Sequence, residues 1–366
     1  MISENYKRQL IHEVKQIDVH LGHASGLEKL VLEIADEQND TAVLELIKEL
    51  GILTKKQSLP RMEQKQEKVV ELLCKYLGAS KVDVLFQNVK ESSNVPLDEL
   101  LKQLDELVGL EHVKQQVRDL IDFHQIQLLR EKHGLKKSNK TLHMAFLGNP
   151  GTAKTTVARI VGRMYKSIGL LSKGHFIEAS RTDLIAEYQG QTAIKVKRLI
   201  HRAKGGVLFI DEAYSITEND HSDSYGRESL TELTKALEDY RDDLVVIVAG
   251  YTNLMEQFFE SNPGLKSRFN TFILFRDYSL DELVQIFHYI CHQNDYVAEE
   301  EAIEKVRDLL QKKLNEKDEY FANGRLVRNL FDDITMNQSK RLSRLSGPIA
   351  KEALMFIAKE DVPQNE

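Results

Sequence analysis

The chain has 366 residues, 42% of them hydrophobic, which is enough apolar material for more than one buried core. Its 50 lysines and arginines against 57 aspartates and glutamates give a formal charge of −7, a mild acidity that argues against a surface built to coat DNA or RNA. No apolar run reaches the roughly 18 residues of a membrane span, no signal core follows Glu4, Lys7 and Arg8, and Cys74 and Cys291 stand apart without metal-ligand neighbours, so a reducing cytoplasm is expected.

Residues 1 to about 95 carry apolar positions at helical spacing in four runs: Leu10, Ile11, Val14 and Ile17; Leu27, Leu30, Val31 and Ile34; Val43, Leu46, Ile47 and Leu50; Val69, Val70, Leu73, Tyr76 and Leu77. Gly22, Asn39-Asp40, Gly51 and Pro60 separate the runs. A small helical bundle is expected, followed by a polar linker at Glu91-Ser92-Ser93-Asn94. No catalytic set assembles here. The expected role is an adaptor for a partner or substrate, or an assembly domain.

His143-Met144-Ala145-Phe146-Leu147 reads as a buried strand, and Thr156 to Tyr165 has the spacing of an amphipathic helix. Between them lies Gly148-Asn149-Pro150-Gly151-Thr152-Ala153-Lys154-Thr155, a glycine-bounded loop ending in Lys-Thr, the form that cradles nucleotide phosphates. Residues Asn149 to Thr156 would seat phosphates at the helix N-terminus, where unpaired N–H groups and the helix dipole favour anions. Lys154 would reach the β- and γ-phosphates, and the Thr155 hydroxyl would bind Mg²⁺. The usual pattern has glycine where this chain has Ala153. If that residue must sit at φ > 0, alanine costs roughly 1–2 kcal/mol, about tenfold in nucleotide affinity.

Further on, Lys195, Lys197, Arg198, Arg202 and Lys204 form a basic run that reads as a solvated helix face rather than a nucleic-acid surface. Gly206-Val207-Leu208-Phe209-Ile210 is an apolar strand ending in Asp211-Glu212. Paired with the phosphate loop, it reads as a Walker B strand: Asp211 would hold the metal through its water shell, and Glu212 would orient and polarise the water that attacks the γ-phosphate. A third run, Leu244 to Gly250, should lie between the first two strands in a doubly wound sheet. One of Tyr251, Thr252 and Asn253 at its end would contact the γ-phosphate or the water, and the sequence does not choose among them. Arg268 has a position suited to an arginine finger. Beyond Asp277-Tyr278-Ser279, helical runs return at Leu283 to Ile290, Ile303 to Leu310 and Leu326 to Ile334, as a small lid reaching about residue 345.

Taken in order, Leu104-Asp105-Glu106-Leu107-Val108-Gly109-Leu110, Gly148 to Thr155, Phe209 to Ser215, Ala249-Gly250-Tyr251, Asn262-Pro263-Gly264, Ser267-Arg268-Phe269 and Phe321-Ala322-Asn323-Gly324-Arg325 resemble one family. From Leu104 to about Leu342 the chain is similar to the AAA+ ATPases, in the branch containing red-type rubisco activase and stage V sporulation protein K. The resemblance implies that Val108 and Gly109 line the adenine pocket, and that Arg268 reaches into the neighbouring subunit's nucleotide. It also implies that Arg325 is a second-sensor arginine swinging toward the phosphates, with Arg328 a helical turn later as a substitute. Tyr188-Gln189-Gly190 stands where the family places its central pore loop, an aromatic grip for an extended peptide.

The expected fold is α/β: an AAA+ P-loop parallel-sheet core (96–276), a C-terminal helical lid and tail (277–366) and an N-terminal all-helical extension (1–95). The expected function is a cytoplasmic, Mg²⁺-dependent ATPase forming a homo-oligomeric ring, a hexamer, that remodels a protein substrate through its pore. The competing reading is a nucleotide-gated scaffold with slow turnover. A nucleic-acid-directed motor is disfavoured by the acidic balance and by Tyr188-Gln189-Gly190, and no membrane partner is expected.

Overall fold

The computed structural model describes residues 2–20, 26–37, 42–43, 46, 49–50, 60–78, 95–136, 138, 140–186, 191–217, 224–260, 262–316, 320–345 and 349–364. The chain divides into two compact units, Met1–Asn94 and Val95–Glu366. In the first, helices α1 (Ile2–His20), α2 (Leu27–Glu37) and α3 (Pro60–Leu77) bury the faces their spacing marks. Leu10, Val14, Ile17, Leu27, Val31, Ile34, Val69 and Leu73 form its core, joined by Ala42, Val43, Leu46 and Leu50. Asp18 accepts from the Glu28 backbone N–H at 2.8 Å and so fixes the entry to α2. The expected linker at 91–94 lies outside the described residues.

The second unit opens with α4 (Leu97–Asp105) and α5 (Glu111–Lys132) and then alternates strand and helix. In order come β1 (Met144–Gly148), α6 (Lys154–Ser167), β2 (Phe176–Ala179), α7 (Arg181–Leu184), α8 (Thr192–Ala203), β3 (Val207–Ile210), α9 (Ser224–Asp239), β4 (Val245–Gly250), α10 (Thr252–Glu260), α11 (Pro263–Lys266) and β5 (Thr271–Phe275). The five strands form one parallel sheet in the order β2-β3-β4-β1-β5, with β4 between β1 and β3. β3 and β4 are wholly buried, as a sheet covered on both faces requires. Alternate residues divide between two cores: Phe209 and Ile247 face α4, α5 and α6, whereas Leu208, Ile210, Val246 and Val248 face α8, α9 and α10. Register sets Leu147 opposite Gly250 and Ile210 opposite Val248, so the three C-terminal strand ends open on one edge. Sequence reading did not mark β2 or β5.

The lid consists of α12 (Leu280–Gln293), β6 (Val297–Ala298), α13 (Glu300–Asn315), α14 (Asn323–Leu342), α15 (Lys351–Met355) and β7 (Phe356–Ile357). Ser279 and Glu282 form a capping box that starts α12. Leu283, Phe287, Val306, Leu310, Val327 and Phe331 make the lid core. The expectation that the lid ends near 345 is corrected. Residues 349–364 fold back, pairing β7 parallel to β6, and the buried Asp361 accepts from Arg341 Nε and an Arg341 terminal nitrogen at 2.7 Å each. Gln338 Nε2 donates to Leu354 O at 3.0 Å and Phe356 O at 2.8 Å, closing the tail onto α14. Among the described residues no helix is long and apolar enough to cross a membrane.

Candidate active site

The loop between β1 and α6 is shaped by three residues at positive φ: Gly148 (147°), Gly151 (72°) and Ala153 (67°). A Cβ on Gly148 would lie 2.2 Å from Phe275 O, so the loop leaves β1 pressed against the end of β5. Ala153 takes the left-handed conformation (ψ 20°) that makes alanine costly, and this strain is carried by the fold. Ala153 is also the N-cap of α6 and offers no side-chain cap, so the amides of the first turn remain available to an anion. Thr152 braces the loop from inside, its hydroxyl donating to Asn149 O at 2.7 Å. Lys154 Nζ donates to Gly148 O at 2.9 Å and Asn149 O at 2.7 Å. Burial pushes its ammonium down to about 8, an effect that Asp211 opposes and Arg325 reinforces.

Opposite the loop, β3 ends at Asp211 and Glu212. Glu212 is left-handed (φ 48°, ψ 46°), and its backbone N–H donates to Asp211 Oδ1 at 3.0 Å, a local bond that holds the Asp211 carboxylate at the strand end. A non-glycine residue held there is strained, and such strain clusters at functional sites. Of the three residues at the end of β4, only Tyr251 lines the same cavity; Thr252 opens α10. The Tyr251 ring meets Tyr320 of the lid edge-on at 4.6 Å and Tyr214 at 5.9 Å. Burial, with the nearby Glu212 carboxylate adding to it, raises the Tyr251 hydroxyl above its usual value and keeps it a donor.

The cavity measures about 370 Å³ and lies between the sheet edge and the lid. Val108, Pro150, Gly151, Ala153, Lys154, Thr155, Thr156, Asp211, Glu212 and Arg325 all line it, as does Arg328. Four expected residues do not. Gly109 sits behind Val108, where a Cβ would fall 2.0 Å from Glu282 Oε1, so its bareness lets α12 approach. Asn149 turns its amide to Asp277 at 3.0 and 3.2 Å, and Thr152 is buried in the loop.

Arg268, the fourth, lines a separate cavity of about 590 Å³ beside Glu238 and Arg241. One of its terminal nitrogens donates to Gly264 O at 2.6 Å, and its Nε is 3.7 Å from Glu238. Tyr188-Gln189-Gly190 lies outside the described residues. In the basic run, Lys195 donates to Ile185 O at 3.1 Å, Lys197 pairs with Glu232 at 3.5 Å and Lys204 covers the Tyr240 ring.

Sequence reading missed Tyr278, Ile286, Tyr289 and Ile290, which line the cavity from the lid side opposite Leu107 and Val108. Together these side chains offer an apolar slot for a planar base. Thr155 and Asp211 supply hydroxyl and carboxylate oxygens, the hard donors Mg²⁺ prefers. Among the described residues no group of three or more His, Cys, Asp or Glu could hold a metal unaided, so a cation here would share oxygens with a phosphate ligand. The residues present therefore fit Mg²⁺ bound together with a nucleotide.

Comparison with known proteins agrees with this geometry. Residues 144–277 match the ATPase family associated with various cellular activities (AAA), and residues 279–366 match the AAA lid domain. Protein CbbX of Cereibacter sphaeroides is 42% identical over 72% of this chain and 85% of its own length. Stage V sporulation protein K of Bacillus subtilis is 39% identical over 75% of this chain and 85% of its own. The chloroplastic ribulose bisphosphate carboxylase/oxygenase activase of Cyanidioschyzon merolae is 39% identical over 74% and 93%. In fold alone, the FIGL-1 AAA domain solved in complex with ADP is similar, with a TM-score of 0.51, 21% identity and coverage of 70% of this chain and 80% of that one. The chain belongs to the AAA ATPase family, in the branch that holds CbbX, rubisco activase and stage V sporulation protein K, and it is an ATPase.

Proposed function

We propose that this ATPase assembles into a ring, a hexamer, in which Mg²⁺-dependent ATP hydrolysis remodels a protein substrate drawn against the Tyr188-Gln189-Gly190 loops. The observation that carries the reading is the meeting of Lys154, Thr155, Asp211, Glu212 and Arg325 on one cavity between sheet edge and lid. The amides at the start of α6 and Lys154 would hold the phosphates. Thr155 and Asp211 would hold Mg²⁺, which when bound neutralises charge on the β- and γ-phosphate oxygens. Glu212 would orient the attacking water and accept its proton, with the Tyr251 hydroxyl donating from the end of β4. Arg325 from the lid would balance charge developing on the γ-phosphoryl group.

Arg268 supports the ring reading by its place: it lines the other cavity, where its guanidinium would exchange its contacts with Gly264 O and Glu238 for a neighbouring subunit's nucleotide. The left-handed Ala153 favours, for its part, the reading of a nucleotide-gated scaffold with slow turnover. Glu212→Gln separates the two. In a motor, the variant binds ATP with its phosphate release abolished; in a scaffold, wild type and variant alike assemble on ATP without sustained release. Turnover by Glu212→Gln at the wild-type rate would remove Glu212 from the mechanism.

A further inference from the structure

Asn323 combines three features that each cost energy: it is polar, fully buried and left-handed, at φ 47° in the first residue of α14. Its side chain is correspondingly well bonded. Oδ1 accepts from the Tyr278 N–H at 2.9 Å. Nδ2 donates to Asp277 Oδ1 at 2.7 Å and Phe321 O at 2.9 Å, with Pro150 O at 3.4 Å. The same Asp277 carboxylate takes the Asn149 amide on both oxygens, at 3.0 and 3.2 Å. One carboxylate and two amides thus tie together three segments remote in sequence: the phosphate loop, the connector from β5 to α12, and the start of α14.

Backbone contact runs beside this network. Gly324 N donates to Gly151 O at 3.1 Å, and a Cβ on Gly151 would lie 2.3 Å from Ala322 O and 2.6 Å from Arg325 N. Arg325 follows Asn323 by two residues and lines the phosphate cavity. The Asn149 and Asn323 side chains that donate to Asp277 are neutral amides and add no charge of their own beside Lys154 and Arg325.

We propose that Asn323 is a positioning residue: through Asp277 and Asn149 it fixes Arg325 against the phosphate loop, so that the loop and the first turn of α14 shift together. This rests on the reading of Arg325 as a phosphate-facing arginine. Asn323→Gly keeps the left-handed backbone at no steric cost and removes the side chain. Asp277→Asn keeps the shape but sets an amide nitrogen where Oδ2 stood, a donor 3.2 Å from the Asn149 amide nitrogen, which it repels.

The test is a double-mutant cycle in the full chain, measuring kcat and KM for ATP in wild type, Asn323→Gly, Arg325→Ala and the double variant, with melting temperature recorded. Asn323→Gly is expected to lower kcat on the order of 10- to 100-fold, the scale of a misplaced group. The double variant is expected to be no slower than Arg325→Ala, and Asp277→Asn to reproduce the loss in kcat. If both single variants are slow and their effects multiply, Asn323 does not act through Arg325, and the proposal is overturned while the role of Arg325 stands. If Arg325→Ala turns over like wild type, the reading of Arg325 fails and the proposal with it. Wild-type kcat in Asn323→Gly also overturns it. Should that variant not fold, the cycle of Asp277→Asn with Arg325→Ala decides by the same rule.

Discussion

At the scale of single residues, Ala153 and Glu212 are both non-glycine residues held at positive φ on the wall of the phosphate cavity. For Ala153 the left-handed backbone costs roughly 1–2 kcal/mol, against which glycine loses about 0.4–1 kcal/mol through a more disordered unfolded chain. Ala153→Gly should therefore raise unfolding stability by up to about 1.5 kcal/mol, read from the urea midpoint at constant slope. A lower midpoint would mean the conformation is not strained. The loop residues proposed to hold phosphate were legible because they are contiguous, and a strand, loop and helix place them together by local geometry alone. Tyr278, Ile286 and Tyr289 were not, because each reaches the cavity from an element whose docking no local pattern encodes. Tyr251 was one of three equal choices until the strand's end was placed.

At the scale of elements, the phosphate loop and the start of α14 touch through backbone, and glycine at 151 is what allows it. Gly151→Ala would force a Cβ to 2.3 Å from a carbonyl oxygen, in addition to the strain of φ 72°. Gly169→Ala carries similar strain, at φ 83°, with nothing within 4 Å of the new Cβ. The second variant should lose roughly 1–2 kcal/mol, and the first clearly more, together with nucleotide affinity. Equal losses in unfolding and in titration with a fluorescent ATP analogue would contradict the packing. In the lid, Asp361→Ala removes two bonds to Arg341 and the acceptor of the Ala358 N–H, while Arg341 keeps Glu360 at 3.4 Å, so the loss should be roughly 1–3 kcal/mol by chemical unfolding. The return of the tail onto the lid was missed because β6 and β7 have two residues each, too few to leave a pattern in the sequence. β2 was missed because its four residues include Glu178, which breaks the apolar run; β5 carries the apolar run Phe272 to Phe275 and was legible but passed over.

For the whole molecule, buried histidines set the acid limit. His143 accepts from Val246 N at 3.1 Å and bonds Leu237 O at 3.0 Å, and burial pushes it down to about 4. His124, packed edge-on against Tyr165, is pushed by burial to about 4 as well. As pH falls through 6.5 the unfolded chain takes these protons first, so stability falls between pH 6.5 and 4 and levels below, by roughly 2–3 kcal/mol for each group. His124→Phe, which keeps a ring beside Tyr165, should flatten that slope in urea unfolding run from pH 7.5 to 4; an unaltered slope would place the proton uptake elsewhere.

The ring reading has its own whole-molecule consequence, since a finger that serves a neighbour can be supplied by a subunit whose own site is dead. The decisive measurement is ATP turnover in mixtures of Glu212→Gln and Arg268→Ala subunits, at concentrations where size shows assembly. Each variant alone should be inactive, and the mixture should recover turnover, because Glu212→Gln subunits lend Arg268 to intact neighbouring sites. A mixture that stays inactive, beside a wild type whose turnover per subunit does not change with assembly, would contradict a site completed between subunits.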